Sequence, residues 1–169
     1  MAILARMVMV VLWLALALLI LLGWGFAWIG EKELIFDLFD LPAPYPDLTG
    51  WVIAVGFTTM AMTLVFLGWA FLQMSQMLRP THLNPFFYLS RKLRHAAWGL
   101  LGFWVGTALI WTIMPILLTL NAKTKYQIPY GWNVLDTEVI LLAVAIVFLA
   151  LSRSLARAQE IEDDNKTIV

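Results

Sequence analysis

The chain has 169 residues, 62% of them hydrophobic, and a mean hydropathy of +0.85, which is too apolar for a soluble domain of this length. Eleven Lys and Arg balance eleven Asp and Glu, so net charge is uninformative and no direct contact with nucleic acid is expected. The absence of cysteine excludes disulfides, thiolate catalysis and Cys-ligated metals.

The first predicted element is a crossing over residues 7–30. A helix needs roughly 20 apolar residues to span about 30 Å of hydrocarbon, and this run has no Asp, Glu, Lys or Arg. It is longer than the apolar part of a signal peptide, so it should remain as an anchor. Residues 31–49 follow as an outer loop. Glu33, Asp37 and Asp40 stand at i, i+4 and i+7, which puts them on one face of a helix. Leu34, Leu38 and Leu41 lie towards the other face, so a short amphipathic helix on the membrane surface is expected. One helical face of three acids could offer oxygen ligands to a divalent cation, but a solvated face explains the same spacing, and no metal site is expected.

Residues 51–77 form the second uncharged crossing. The connection after it carries Arg79, His82, Arg91, Lys92, Arg94 and His95. Arg79, Arg91, Lys92 and Arg94 are expected at the headgroups, where each can contact anionic lipid. The third crossing, residues 96–120, contains Gly99, Gly102 and Gly106, a small-xxx-small pattern that lets helix backbones approach closely and is compatible with a homo-oligomer. Pro115 should bend it. A second outer loop holds Lys123 and Lys125, which could meet Glu33, Asp37 and Asp40 in a small extracytoplasmic cap. The fourth crossing is expected at residues 137–157, with Asp136 as N-cap and Glu138 in the first turn, both suited to the positive end of the helix dipole. Residues 158–169 are expected to be an acidic tail.

This is therefore an all-α, polytopic membrane protein with four transmembrane helices. Eight basic residues (Arg6, Arg79, Arg91, Lys92, Arg94, Arg153, Arg157 and Lys166) fall on one side of that topology, against Lys32, Lys123 and Lys125 on the other. The positive-inside rule puts both termini in the cytoplasm. Among the nine tryptophans, Trp24, Trp28, Trp51, Trp111 and Trp132 should mark the outer boundary and Trp69 and Trp98 the inner one. Trp13 and Trp104 fall deeper and should pack.

No charge lies at membrane depth, where pumps, proton-coupled carriers and voltage sensors keep theirs. The only histidines are His82 and His95, so a haem held by two intramembrane histidines is not expected, and no other cofactor is implied. There is no intramembrane Ser–Lys or Asp–Asp pair, no His-Glu-x-x-His and no glycine-rich phosphate loop. No catalytic residues are assigned, and an enzyme is not expected.

Pro85-Phe86 and then Arg91, Leu93 and Arg94 lead into a small-residue helix, and the chain closes on Asp164, Asn165 and Thr167 to Val169. On these motifs, about two dozen residues within a topology that matches throughout, the chain resembles the bacterial twenty-nine seventy-five family of four-helix membrane proteins, a domain of unknown function. Trp98-Gly99 stands where that family often has Gly-Trp. The resemblance implies an inner-membrane location, no established activity, and a small helix-turn-helix regulator as a cytoplasmic partner. Glu160, Glu162, Asp163, Asp164 and Asn165 are the residues expected to dock it. The leading expectation is a regulatory membrane protein. An accessory subunit of a larger respiratory or photosynthetic complex is the alternative. A channel or carrier is less favoured, because the spans offer only hydroxyls such as Thr58, Thr59, Thr63, Thr107 and Thr112.

Overall fold

The computed structural model describes residues 2–78, 85–120 and 136–167. All regular structure there is helical: α1 (Ala2–Trp28), α2 (Glu33–Leu38), α3 (Gly50–Met77), α4 (Pro85–Thr119) and α5 (Asp136–Thr167). Four of these helices are long and apolar enough to cross a membrane. The protein is a multi-pass, all-α membrane protein built as a packed helical bundle.

Two helices outrun the boundaries that composition suggests. α4 begins at Pro85 rather than near residue 96. Proline suits the first helical position, where its missing N–H is not needed, and the Arg and Lys residues that follow are good helix formers. α5 continues to Thr167, so residues 158–167 extend the last helix where a tail was expected. Ala156, Arg157, Ala158, Gln159 and Glu160 all favour helix, and nothing in that stretch breaks it.

The helices contribute to two compact units, one made of Met1–Leu12, Phe66–Trp104 and Val134–Val169, the other of Trp13–Val65 and Val105–Asn133. In the first, Leu67 and Ala70 of α3, Leu100 of α4 and Ala145 of α5 form the core, with Phe71, Leu101 and Phe148 against it. Close approach of backbones is what makes this possible. A Cβ on Gly99 would lie 2.9 Å from Ala70 Cβ and 3.0 Å from the Phe66 carbonyl oxygen, and one on Gly102 would lie 2.6 Å from the Phe66 ring.

The second unit uses the same device. The indole of Trp24, 3% exposed, packs on α3, where a Cβ on Gly56 would come within 1.9 Å of it. Its Nε1 donates to Met60 Sδ at 3.0 Å. Trp13 Nε1 donates to the Leu64 carbonyl at 3.0 Å. Gly106 of α4 faces Thr63, with 2.4 Å from its ideal Cβ to Oγ1. Trp24 therefore packs against a helix, while Trp28 and Trp51 are exposed as an interface belt requires.

Beyond α1 the chain turns through a Schellman motif: Glu31 N–H donates to the Phe26 carbonyl and Gly30 N–H to that of Ala27, with Gly30 at φ +101°. This is the conformation glycine adopts without a Cβ penalty. α2 then buries Ile35 and Phe36, and Phe36 stacks on Tyr45 at 5.0 Å. Phe39 meets Trp111 of α4 edge-on at 5.2 Å. Leu34 and Leu38, expected opposite the acids and towards the membrane surface, are exposed, and Leu41 is buried. α2 has only six residues, and the side chains it inserts into the unit's core are Ile35 and Phe36.

Replacing Gly56 by Leu should lower stability by about 1–3 kcal/mol or more, because the Trp24 ring occupies the only direction for the side chain. Gly23→Ala, with nothing within 4 Å of its ideal Cβ, should leave stability unchanged. Thermal unfolding of the two variants, followed by size-exclusion chromatography in mild detergent, checks the contrast.

Candidate functional site

The polar groups of this chain gather at helix ends. α3 stops at Met77, and the last carbonyls of a helix have no partners within it. Side chains from α1 and α4 supply them. Arg6 Nε donates to the Ser75 carbonyl at 3.1 Å, and Tyr88 Oη donates to that of Gln76 at 3.2 Å. Lys92 Nζ donates to Gln73 Oε1 at 3.1 Å and to Gln76 Oε1, and lies 5.6 Å from the centre of the Tyr88 ring. Positive charge at a helix C-terminus is favourable. Gln73 is only 4% exposed, so its amide oxygen needs the ammonium, as buried polar groups must be paired.

This knot divides the expected basic set. Lys92 is turned into the protein, whereas Arg91 and Arg94 are exposed. His95 is half-buried. Arg79 and His82 lie outside the described residues.

The acidic set is divided too. Gln159, 6% exposed, faces the interior and its Nε2 donates to Asp163 Oδ1 at 2.9 Å, while its Oε1 has no partner. Ser152, one helical face away from solvent, is 4% exposed. Glu162 is half-buried on that inner side, and Glu160, Asp163, Asp164 and Asn165 are exposed. The run is thus a helical surface with one member turned in.

The outer loop holds the remaining candidates. Glu33 and Asp37 lie in α2, but Asp40 lies past its end, in a left-handed conformation with φ 52°. Asp40 N–H donates to the Asp37 carbonyl and Leu41 N–H to that of Phe36, so Asp40 closes a second Schellman motif. The three acids do not share a helical face. Asp37 accepts a hydrogen bond from Tyr45 Oη at 3.0 Å. Lys32 pairs with Asp47 within the same loop, a partly exposed contact worth about 0–1 kcal/mol. Lys123 and Lys125, expected to meet these acids, lie outside the described residues. No group of three or more His, Asp or Glu able to hold a metal occurs among the described residues.

Thr58, Thr59, Thr63 and Thr112 each donate to the carbonyl four residues before them, at 2.7–2.9 Å, so these four hydroxyl protons are not directed at a solute. An open apolar groove of about 300 Å³ lies between α1 and α3, lined by Leu21, Trp24, Trp28, Ile53 and Phe57. Its lining fits hydrocarbon and offers no chemistry.

Sequence reasoning missed Arg6, Gln73, Gln76 and Tyr88 as one constellation. The available signal was the pair Gln73 and Gln76, two amides at i, i+3 in an otherwise apolar run. No protein-family model matches the chain, and no curated protein or solved structure matches it, so no family is identified.

Asp40→Gly should hold or raise stability, since glycine adopts a left-handed φ freely, whereas Asp40→Val should cost roughly 1–2 kcal/mol. Melting temperatures with and without calcium check this. A ligand role for the carboxylate would instead make both variants lose a calcium-dependent rise.

Proposed function

We propose that this protein is a non-catalytic regulatory protein of a bacterial inner membrane, with both termini in the cytoplasm, that works through a cytoplasmic partner. The observation that supports this reading is the form of α5. The helix is 32 residues long, about 48 Å at 1.5 Å per residue, well beyond the roughly 30 Å of hydrocarbon. Its surplus carries Glu160, Asp163 and Asp164 on an exposed surface, held in register by the buried Gln159. A helical array of carboxylates suits a basic protein surface, and a small helix-turn-helix regulator has one. Docking there would compete with DNA phosphate for the same surface. A change in packing among the spans would pass directly into α5, since span and docking surface are one helix. The excess of Lys and Arg around the Arg6 and Arg91 end supports the orientation.

A second reading has its own support. Only 6% of the most apolar stretch of α1 is buried within the protein, against 39% for α3. Such a helix is free to pack against the spans of a larger complex, as an accessory subunit would.

Purification of the tagged, full-length protein in gentle detergent from its own membranes, with mass spectrometry of the eluate, tests the proposal. A small basic protein should co-purify and be lost when Glu160, Asp163 and Asp164 are changed to Lys, with insertion unaffected. Retention of that protein by the reversed variant would refute the docking surface. Stoichiometric large integral proteins in place of it would favour the accessory subunit.

A further inference from the structure

Phe87, Arg91, Arg94 and Trp98 follow one another at i, i+4, i+7 and i+11 along α4, so they form one stripe. All four are exposed, Phe87 at 59% and Trp98 at 61%. We propose that this stripe is a seat for the phosphate of an anionic phospholipid in the leaflet around this end of α4. The inference goes beyond the partner-docking role of α5 and does not depend on it.

Charge is the first argument. Lys92 lies between the two arginines in sequence but is satisfied by Gln73 and Gln76. Arg91 and Arg94 meet no carboxylate among the described residues, where the one ion pair is that of Lys32 with Asp47. Two guanidinium forks, each able to bind a phosphate through paired N–H groups, are left pointing outward one turn apart.

Depth is the second. From Trp98 to Thr119 the helix continues for about 20 residues, roughly 30 Å, the thickness of the hydrocarbon layer. That places Trp98 at the hydrocarbon boundary, where tryptophan is enriched. Arg94 lies one turn above it and Arg91 two turns above, about 5–10 Å towards water, which is the depth of the headgroups. The exposed indole selects the source of the phosphate. A soluble anion would leave Trp98 uncovered, whereas a phospholipid covers it with its acyl chains and glycerol while its phosphate meets the arginines.

The test uses the full-length protein in nanodiscs of mixed phosphatidylcholine and phosphatidylglycerol. Protein is re-extracted in mild neutral detergent, and the lipid it retains is counted by native mass spectrometry. Wild type should retain phosphatidylglycerol over phosphatidylcholine by roughly thirtyfold relative to the bulk mixture, as two arginines near the surface imply. R91Q/R94Q should fall close to the bulk ratio, and R91K/R94K, which keeps the charge without the fork, should lie between. R153Q/R157Q removes an equal charge from α5 and should keep most of the enrichment. Wild-type enrichment in R91Q/R94Q would overturn the proposal. Equal loss in R153Q/R157Q would reduce it to diffuse surface attraction, and displacement of the lipid by inorganic phosphate would make it a soluble-anion site; either overturns the seat.

Discussion

In hydrocarbon, helices gain nothing by burying apolar surface against one another, because lipid is as apolar as leucine; they associate through close contact and hydrogen bonds. The fold therefore depends on how closely α1 and α4 approach α3. Gly56 admits the ring of Trp24, Gly99 admits Ala70, Gly102 admits the Phe66 ring and Gly106 admits Thr63. α3 is correspondingly the most enclosed span, with 39% of its most apolar stretch buried, against 22% for α4 and 11% for α5. Leu, Val and Ile side chains over most of α1 are left exposed, as lipid-facing helices require.

The same constraint governs the polar groups. Without water, each must find a partner in the protein. Threonines return their hydroxyl protons to their own helix, and Trp13 and Trp24 place theirs on α3. At the end of α3, three side chains from α1 and α4 take over the free carbonyls and amides. Intramembrane chemistry is thus spent on holding helices, and groups able to meet a partner lie at the ends. That division supports reading the protein through its terminal helix surfaces, the acidic one on α5 and the basic one on α4.

Four spans were legible because apolar runs of bilayer length have few other uses. Helix ends were not, since α4 and α5 continue through residues whose helical preference is independent of polarity, from Pro85 to Arg94 and from Ala156 to Glu160. The glycine pattern of α4 was visible, but spacing within one helix cannot say that α3 is its neighbour. Trp24 read as a belt residue because it lies near the outer end of the first apolar run; only Gly56 on another helix gives it a place to pack. Asp40 read as part of a helical face because periodicity continues on paper past the point where α2 ends. Likewise, nothing in Arg91-Lys92-Arg94 indicates that the middle cation turns inward, since the amides that draw it belong to α3.

The absence of cysteine from the chain allows a direct test of the close approach to α3. A protein carrying Ala70→Cys and Gly99→Cys, oxidised in native membranes, should cross-link nearly completely. Its β-carbons would start 2.9 Å apart, and a disulfide needs about 3.5–4.5 Å. A control pairing Gly99→Cys with Met62→Cys, an exposed position on α3, should not cross-link. Failure of the first pair, or equal yield from both, would contradict an assembly built on the glycine face of α4 against α3.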